Sequence, residues 1–245
     1  MTKTTVPKSW RRHRLEVLAW ALDAEFEAGR ARAEGLRAAF VEREVAPGSA
    51  VNVDGTATAL EMITETTTFE LEATDGEVRS VVKELMDAAR SDLDERLVTA
   101  LRGSLADGPA QGPDWRTAVD HAMTLADRAD LRDARALVVK RDEYEEMRLV
   151  SGVDSRVGAT ESAQLDKPWV ELLERWTGSA PLVSEWETAP LLIPTSQWPT
   201  TLYVGRDWQL FADPLLDEIE VRVEMECLPV VTGTIAHELQ ISAAV

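Results

Sequence analysis

Between Glu218 and Leu228 the chain alternates strictly: Ile219, Val221, Val223, Met225 and Cys227 are interleaved with Glu218, Glu220, Arg222, Glu224 and Glu226. A period of two is that of a strand with one buried and one wet face. Val78, Val82, Leu85, Ala89, Leu93, Leu97 and Leu101 instead recur every three or four residues, while Glu77, Arg79, Lys83, Glu84, Asp87, Arg90, Asp94 and Arg102 fall largely elsewhere. That spacing predicts a long amphipathic helix. Thr74-Asp75-Gly76-Glu77 fits a capping box at its start, in which the Thr hydroxyl and the Glu carboxylate satisfy free amides three residues apart. Gly103 and Gly108 supply the stop.

Upstream of the helix, Ala59 to Glu72 is rich in Thr and Glu and poor in large apolar residues. Such a segment cannot be buried on both faces, so it is expected to project and find its partners on another copy of the chain. Asp54-Gly55 is a strong hairpin signal, which makes residues 50–73 a candidate β-arm leading into a stiff helical beam.

The remaining elements follow from the same patterns. Leu15, Leu18, Leu22, Phe26, Gly29, Ala33, Leu36 and Phe40 predict a helix over 9–43, broken by Ala46-Pro47-Gly48-Ser49. Asp107 to Pro113 reads as a linker, followed by a helix capped by Asp114, a buried strand at Ala134 to Val139 and an acid-rich helix start at Asp142 to Met147. Residues 151–166 read as loop and Pro168 to Trp176 as a short helix. Strands are expected at Leu191 to Ile193, Thr201 to Val204, Trp208 to Phe211 and Thr234 to Ile241.

Composition narrows the function. The 245 residues carry a formal net charge of −18, which argues against a nucleic-acid surface spread over the whole molecule. The charge is uneven: Lys3, Lys8, Arg11, Arg12 and Arg14 give residues 1–14 a local +5, leaving 21 basic and 44 acidic groups, net −23, on the rest. A basic tip on an acidic body suggests a tail that meets polyanion or a neighbour's acidic face. High acid with only five lysines fits adaptation to molar salt as well as it fits a high-GC bacterial source. Cys227 is the sole cysteine, so no intrachain disulfide can form. No apolar run approaches the ~20 residues of a membrane span, and the start lacks a secretory core. The expectation is a soluble protein made inside a cell, with no membrane partner.

The motifs of known chemistry are incomplete in this chain. His237-Glu238 begins like a zinc-protease helix, but position 241 is Ile where the second His is required. Asn52, Asp54 and Gly55 recapitulate part of a calcium loop without its later ligands. Walker and dinucleotide glycine patterns are absent. Trp169, Trp176, Trp186, Trp198 and Trp208 sit among prolines in the second half, where packing is the simpler role. No catalytic, cofactor-binding or metal-ligating residue is expected in the chain.

In its order of parts the chain resembles the major capsid protein of tailed viruses, the Hong Kong 97-type fold. Ala46 to Thr74 looks like that family's extended hairpin, the E-loop, and Gly76 to Gly103 like its spine helix. Asp114 to Val150 is similar to the entry of an inserted axial domain, and Leu202-Tyr203-Val204-Gly205 through Leu228 to the closing strands. The resemblance implies an α+β fold divided into an N-terminal arm (1–45), E-loop (46–75), peripheral domain with spine helix (76–112), axial domain (113–200) and C-terminal peripheral strands (201–245).

Its functional implication is a non-enzymatic subunit of a virion capsid, assembled in the host cytoplasm as hexamers and pentamers around double-stranded DNA. Portal, scaffold and cementing proteins are the further partners it implies. Leu60, Met62, Thr64, Thr66, Thr68 and Phe69 would be the intersubunit E-loop residues, and Lys3, Lys8, Arg11, Arg12 and Arg14 the contacts to DNA or a neighbour. Some relatives crosslink an E-loop Lys to a neighbour's Asn; here residues 46–76 hold no Lys and Asn52 is the sole Asn, so no such bond is expected. Two alternatives stand beside it: an encapsulin-like shell around cargo, and a small-molecule enzyme with a pocket lined by Trp176, Trp186 and Trp208.

Overall fold

A computed structural model describes residues 8–32, 34–106, 108–128, 135–149, 151–152, 167–168, 181–184, 186, 189–194, 200–215, 217–233 and 236–241. The first part of the chain forms α1 (Lys8–Arg32), α2 (Glu34–Arg37), β1 (Val41–Glu44), β2 (Ala50–Val53), β3 (Thr56–Ala59), β4 (Glu61–Glu70) and α3 (Asp75–Arg102). There follow β5 (Ala110–Gly112), α4 (Trp115–Arg128), β6 (Arg135–Lys140), α5 (Arg141–Leu149), β7 (Ser151–Gly152) and β8 (Lys167–Pro168). The chain then runs through β9 (Leu182–Ser184), β10 (Leu191–Pro194), β11 (Thr200–Pro214), β12 (Glu218–Val231) and β13 (His237–Ile241). Two compact units result, residues 1–34, 44–93 and 204–228 in the first and 35–43, 94–203 and 229–245 in the second.

β4 and most of β11 and β12 lie in the first unit, and the four-stranded sheet they form has the order β1, β11, β12, β4. β12 follows its sequence pattern: Ile219, Val221, Val223, Met225 and Cys227 are buried, each at 2% exposure or less. β4 finds its strand partner within its own chain, which corrects the expectation that it must pair with another copy. It pairs antiparallel with β12 over ten residues, from Glu61 opposite Cys227 to Glu70 opposite Glu218. The reason is that few apolar residues suffice when they face inward together: Ile63 and Phe69 are buried while Met62, Thr64, Thr66 and Thr68 lie on the outer face.

Helix α3 begins at the capping box the sequence marks. Thr74 Oγ accepts the Glu77 N–H at 3.3 Å, and Glu77 Oε2 accepts the Thr74 N–H at 2.7 Å. Within the first unit its residues Val78, Val82, Leu85, Met86, Ala89 and Leu93 are buried. Gly29 of α1 lies against it: a Cβ there would fall 2.8 Å from Met86 Cγ, so glycine lets the helices close up. Of the helix expected over 9–43, the described residues are helical to Arg32 and again over Glu34–Arg37, while Val41–Glu44 is strand. Sheet pairing of β1 settles the backbone of that last segment. The two strands expected at 201–204 and 208–211 are one, β11.

The second unit holds a five-stranded sheet in the order β5, β13, β10, β6, β9. β13 pairs parallel to β5 and antiparallel to β10, and β6 pairs antiparallel to β10 and parallel to β9. Helix α4 covers it, burying Ala118, Val119, Ala122 and Met123 with Ala110, Leu137, Val139, Leu192 and Leu239. Asp114 caps α4 as expected, its Oδ1 accepting the Thr117 N–H at 2.8 Å. The linker reading of 107–113 is corrected in its second half, where Ala110–Gly112 is strand β5. Small residues were needed there: a Cβ on Gly112 would lie 2.4 Å from the Ala118 backbone N.

The buried strand at Ala134 to Val139 and the helix at Asp142 to Met147 appear as β6 and α5. Within the segment read as loop, Ser151–Gly152 pairs with Lys167–Pro168, so Pro168 is in a strand, not a helix start. The remainder of 153–166 and of the helix expected to Trp176 lies outside the described residues.

Candidate assembly surface

The arm is a short hairpin. β2 pairs antiparallel with β3, Ala50 opposite Ala59 through Val53 opposite Thr56. Asp54 and Gly55 turn it with φ of 50° and 86°, the two left-handed residues of a primed turn whose twist matches that of the strands. Asn52 Oδ1 accepts the Gly55 N–H at 2.8 Å, so the calcium-like triplet is turn chemistry. Apart from buried Val51, the hairpin is exposed or half-buried along its length.

At the root of the arm the chain is fastened by several bonds. Val45 N–H reaches Val204 O at 3.0 Å, Ser49 N–H reaches Ala46 O at 3.1 Å, and Leu60 N–H reaches Ser49 O at 3.4 Å. Gly48 N–H donates to Glu226 Oε1 at 2.7 Å. Sequence reasoning missed Glu226, because alternation places it with the wet residues of β12 and nothing local separates it from Glu224.

Below the arm lies the outer face of the sheet. Thr64, Thr66 and Thr68 of β4 stand opposite Glu224, Arg222 and Glu220 of β12. Arg206 Nη1 donates to Glu224 Oε2 at 3.3 Å, and Arg222 Nε lies 3.0 Å from Glu224 Oε1 with its guanidinium 5.1 Å above the Phe211 ring. The face is thus polar, cross-bridged and half-wet, and Met62 on it is 42% exposed. The structure gathers Leu60, Met62, Thr64, Thr66 and Thr68 at the arm root and outer face, but turns Phe69 into its own chain at 8% exposure.

Of the five basic residues near the start of the chain, Arg14 has a described side chain. Lys3 lies outside the described residues, and for Lys8, Arg11 and Arg12 the helical backbone alone is described. Arg14 is committed within its own unit, donating to the Ala73 carbonyl and, at 3.2 Å, to the Asp75 carboxylate. An open cleft beside it is lined by Phe69, Glu70, Glu72, Ala73 and Glu77. Hydrogen bonds from the Thr74 amide and then its hydroxyl hold the Glu77 carboxyl below the usual carboxylate range; Asp114 is lowered likewise, first by the Thr117 amide.

Among the described residues no group of three or more His, Cys, Asp or Glu could hold a metal, and no helix is long and apolar enough to cross a membrane. Trp208 is buried at 4% exposure and Trp186 half-buried, while Trp169, Trp176 and Trp198 lie outside the described residues.

Neither protein-family models nor curated proteins match the chain. Solved structures do. The virus-like particle from Pyrococcus furiosus matches over 90% of this chain and 98% of its own, with a TM-score of 0.67 at 12% identity. The capsid of an empty gene transfer agent (GTA) particle matches over 86% and 90%, with a TM-score of 0.58 at 15% identity. The mature capsid of bacteriophage PhiM1 matches over 86% and 87%, with a TM-score of 0.55 at 9% identity. All three are particle shells, and at these identities the likeness is one of fold. The chain has the α+β fold of capsid shell proteins, the Hong Kong 97-type fold that the sequence resemblance implied.

Proposed function

We propose that this chain is a major capsid protein, assembling as hexamers and pentamers into an icosahedral shell around the DNA of a tailed virus. The observation that carries the reading is the whole-chain likeness to shell subunits, 90% of this chain against 98% of the virus-like particle's. The hairpin arm and polar outer face add a physical argument. A short exposed β-arm gains little within its own chain, and closed symmetry repeats one modest contact many times.

On this reading residues 46–75 act as the E-loop, and Leu60, Met62, Thr64, Thr66 and Thr68 meet a neighbour. Phe69 is excluded from that set by its burial. Residues 113–200 serve as the axial domain and 76–112 with 201–245 as the peripheral domain. Lys3, Lys8, Arg11 and Arg12 are the basic residues left for DNA or a neighbour once Arg14 is bound to Asp75. An acidic body is compatible with the task, since a wall that repels DNA leaves the genome mobile.

The test is the content of particles purified from producing cells. Nuclease-protected double-stranded DNA of uniform length is expected. Shells holding a protein cargo without DNA would favour the compartment reading instead.

A further inference from the structure

Glu226 differs from its neighbours on β12. It belongs to the polar half of the alternation, yet it is 5% exposed, whereas Glu218 is exposed and Glu220, Arg222 and Glu224 are half-buried. Glu224 is bridged by two arginines, Arg206 and Arg222. Glu226 instead takes a backbone amide, that of Gly48, at 2.7 Å.

Both ends of the arm meet at this carboxylate. Gly48, at φ 70°, lies in the turn where the chain leaves β1 for the hairpin, a conformation glycine adopts without steric cost. Leu60 lies where the hairpin returns, its N–H on Ser49 O. Gly205 of β11 leaves the space in which the two converge: a Cβ there would fall 2.5 Å from Leu60 Cδ1 and 3.1 Å from Glu226 Oε2. A buried carboxyl group requires hydrogen-bond partners to offset its lost hydration.

We infer that Glu226 is a positioning residue, a latch that fixes the hairpin arm at its root by holding the Gly48 turn. Its effect on assembly rests on the shell reading, because an arm that must lie on a neighbour has to leave its own sheet in one direction.

Hydrogen–deuterium exchange of the purified full-length chain tests the latch without requiring a shell. Glu226→Ala is expected to speed exchange over residues 48–60 by about tenfold or more, with β12 and α3 unchanged. Glu226→Gln, whose amide oxygen still accepts the Gly48 N–H, should restore most of the protection. Unchanged exchange at 48–60 in Glu226→Ala overturns the inference. So does loss of protection throughout β4, β12 and α3, which would make Glu226 a general structural residue.

Assembly is scored in parallel. Wild-type shells with a several-fold lower yield from Glu226→Ala are expected, and equal yields would overturn the assembly role. A wild type that forms no shells contradicts the proposed function and leaves the exchange result standing.

Discussion

Ile63 of β4 lies directly opposite Met225 of β12, and both are fully buried. Their pairing fixes the register of the strand the arm returns into, because a slip of one residue would turn Ile63 outward and a threonine in. Ile63→Ala is therefore expected to destabilise the chain by about 2–5 kcal/mol, and Ile63→Val by about 0.5–1.5 kcal/mol. Thr66→Ala, on the outer face, should fall within about 0.5 kcal/mol of wild type. Urea unfolding followed by circular dichroism measures all three.

The α3 cap makes stability depend on pH in a known direction. Glu77 is held below its ordinary value in the folded chain by the Thr74 amide and hydroxyl. A depressed carboxyl contributes stability that is fully present above the unfolded value, ~4.3, and is lost as pH falls through the folded one. The stability gap between wild type and Glu77→Gln should thus be constant near neutrality and close as pH drops below about 4. A gap that widens on acidification would reverse the sign. Chemical denaturation at a series of pH values reads it.

At Gly112 the backbone of α4 comes very close. A methyl there would sit 2.4 Å from the Ala118 backbone N and 2.8 Å from the Thr117 carbonyl carbon, neither of which can swing aside. Gly112→Ala should cost about 1–3 kcal/mol. Gly233→Ala meets no atom within 4 Å but strains a φ of 81°, so about 1 kcal/mol is expected there. Thermal unfolding of the two variants orders them.

The arm carries no amine for covalent crosslinking, since residues 46–76 lack Lys, and its one amide, Asn52, is engaged with Gly55. Boiled particles should run on a denaturing gel as a single band near the 27.1 kDa chain. A ladder of multiples resistant to reductant would contradict this account of how the arm holds its neighbour.

What was legible in the sequence was local chemistry. Thr74 with Glu77, Asp54 with Gly55 and the apolar set Ile219, Val221, Val223, Met225 and Cys227 each encode structure within a few residues, and each appears as read. What was not legible depended on partners far along the chain. β4 finds β12 about 150 residues away, and with two inward apolar residues its own pattern could not announce a buried face. β5 lies among glycines and prolines that read as a linker, and only its docking beside β13 and α4 makes it a strand. Helix propensity alone carried the prediction past Arg37 to residue 43, where Val41–Glu44 is taken by sheet pairing. The arm itself was visible from its turn, but Glu226 at its root was not, since burial of one carboxylate in a polar row is decided by where Gly48 comes to rest.

The most direct measurement is electron cryo-microscopy of the purified full-length chain over a range of salt concentrations up to several molar. The account predicts closed shells with icosahedral symmetry, built of hexamers and pentamers, with each hairpin arm lying on an adjacent subunit. Monomers alone at every salt concentration, with no shell or capsomer, would contradict it.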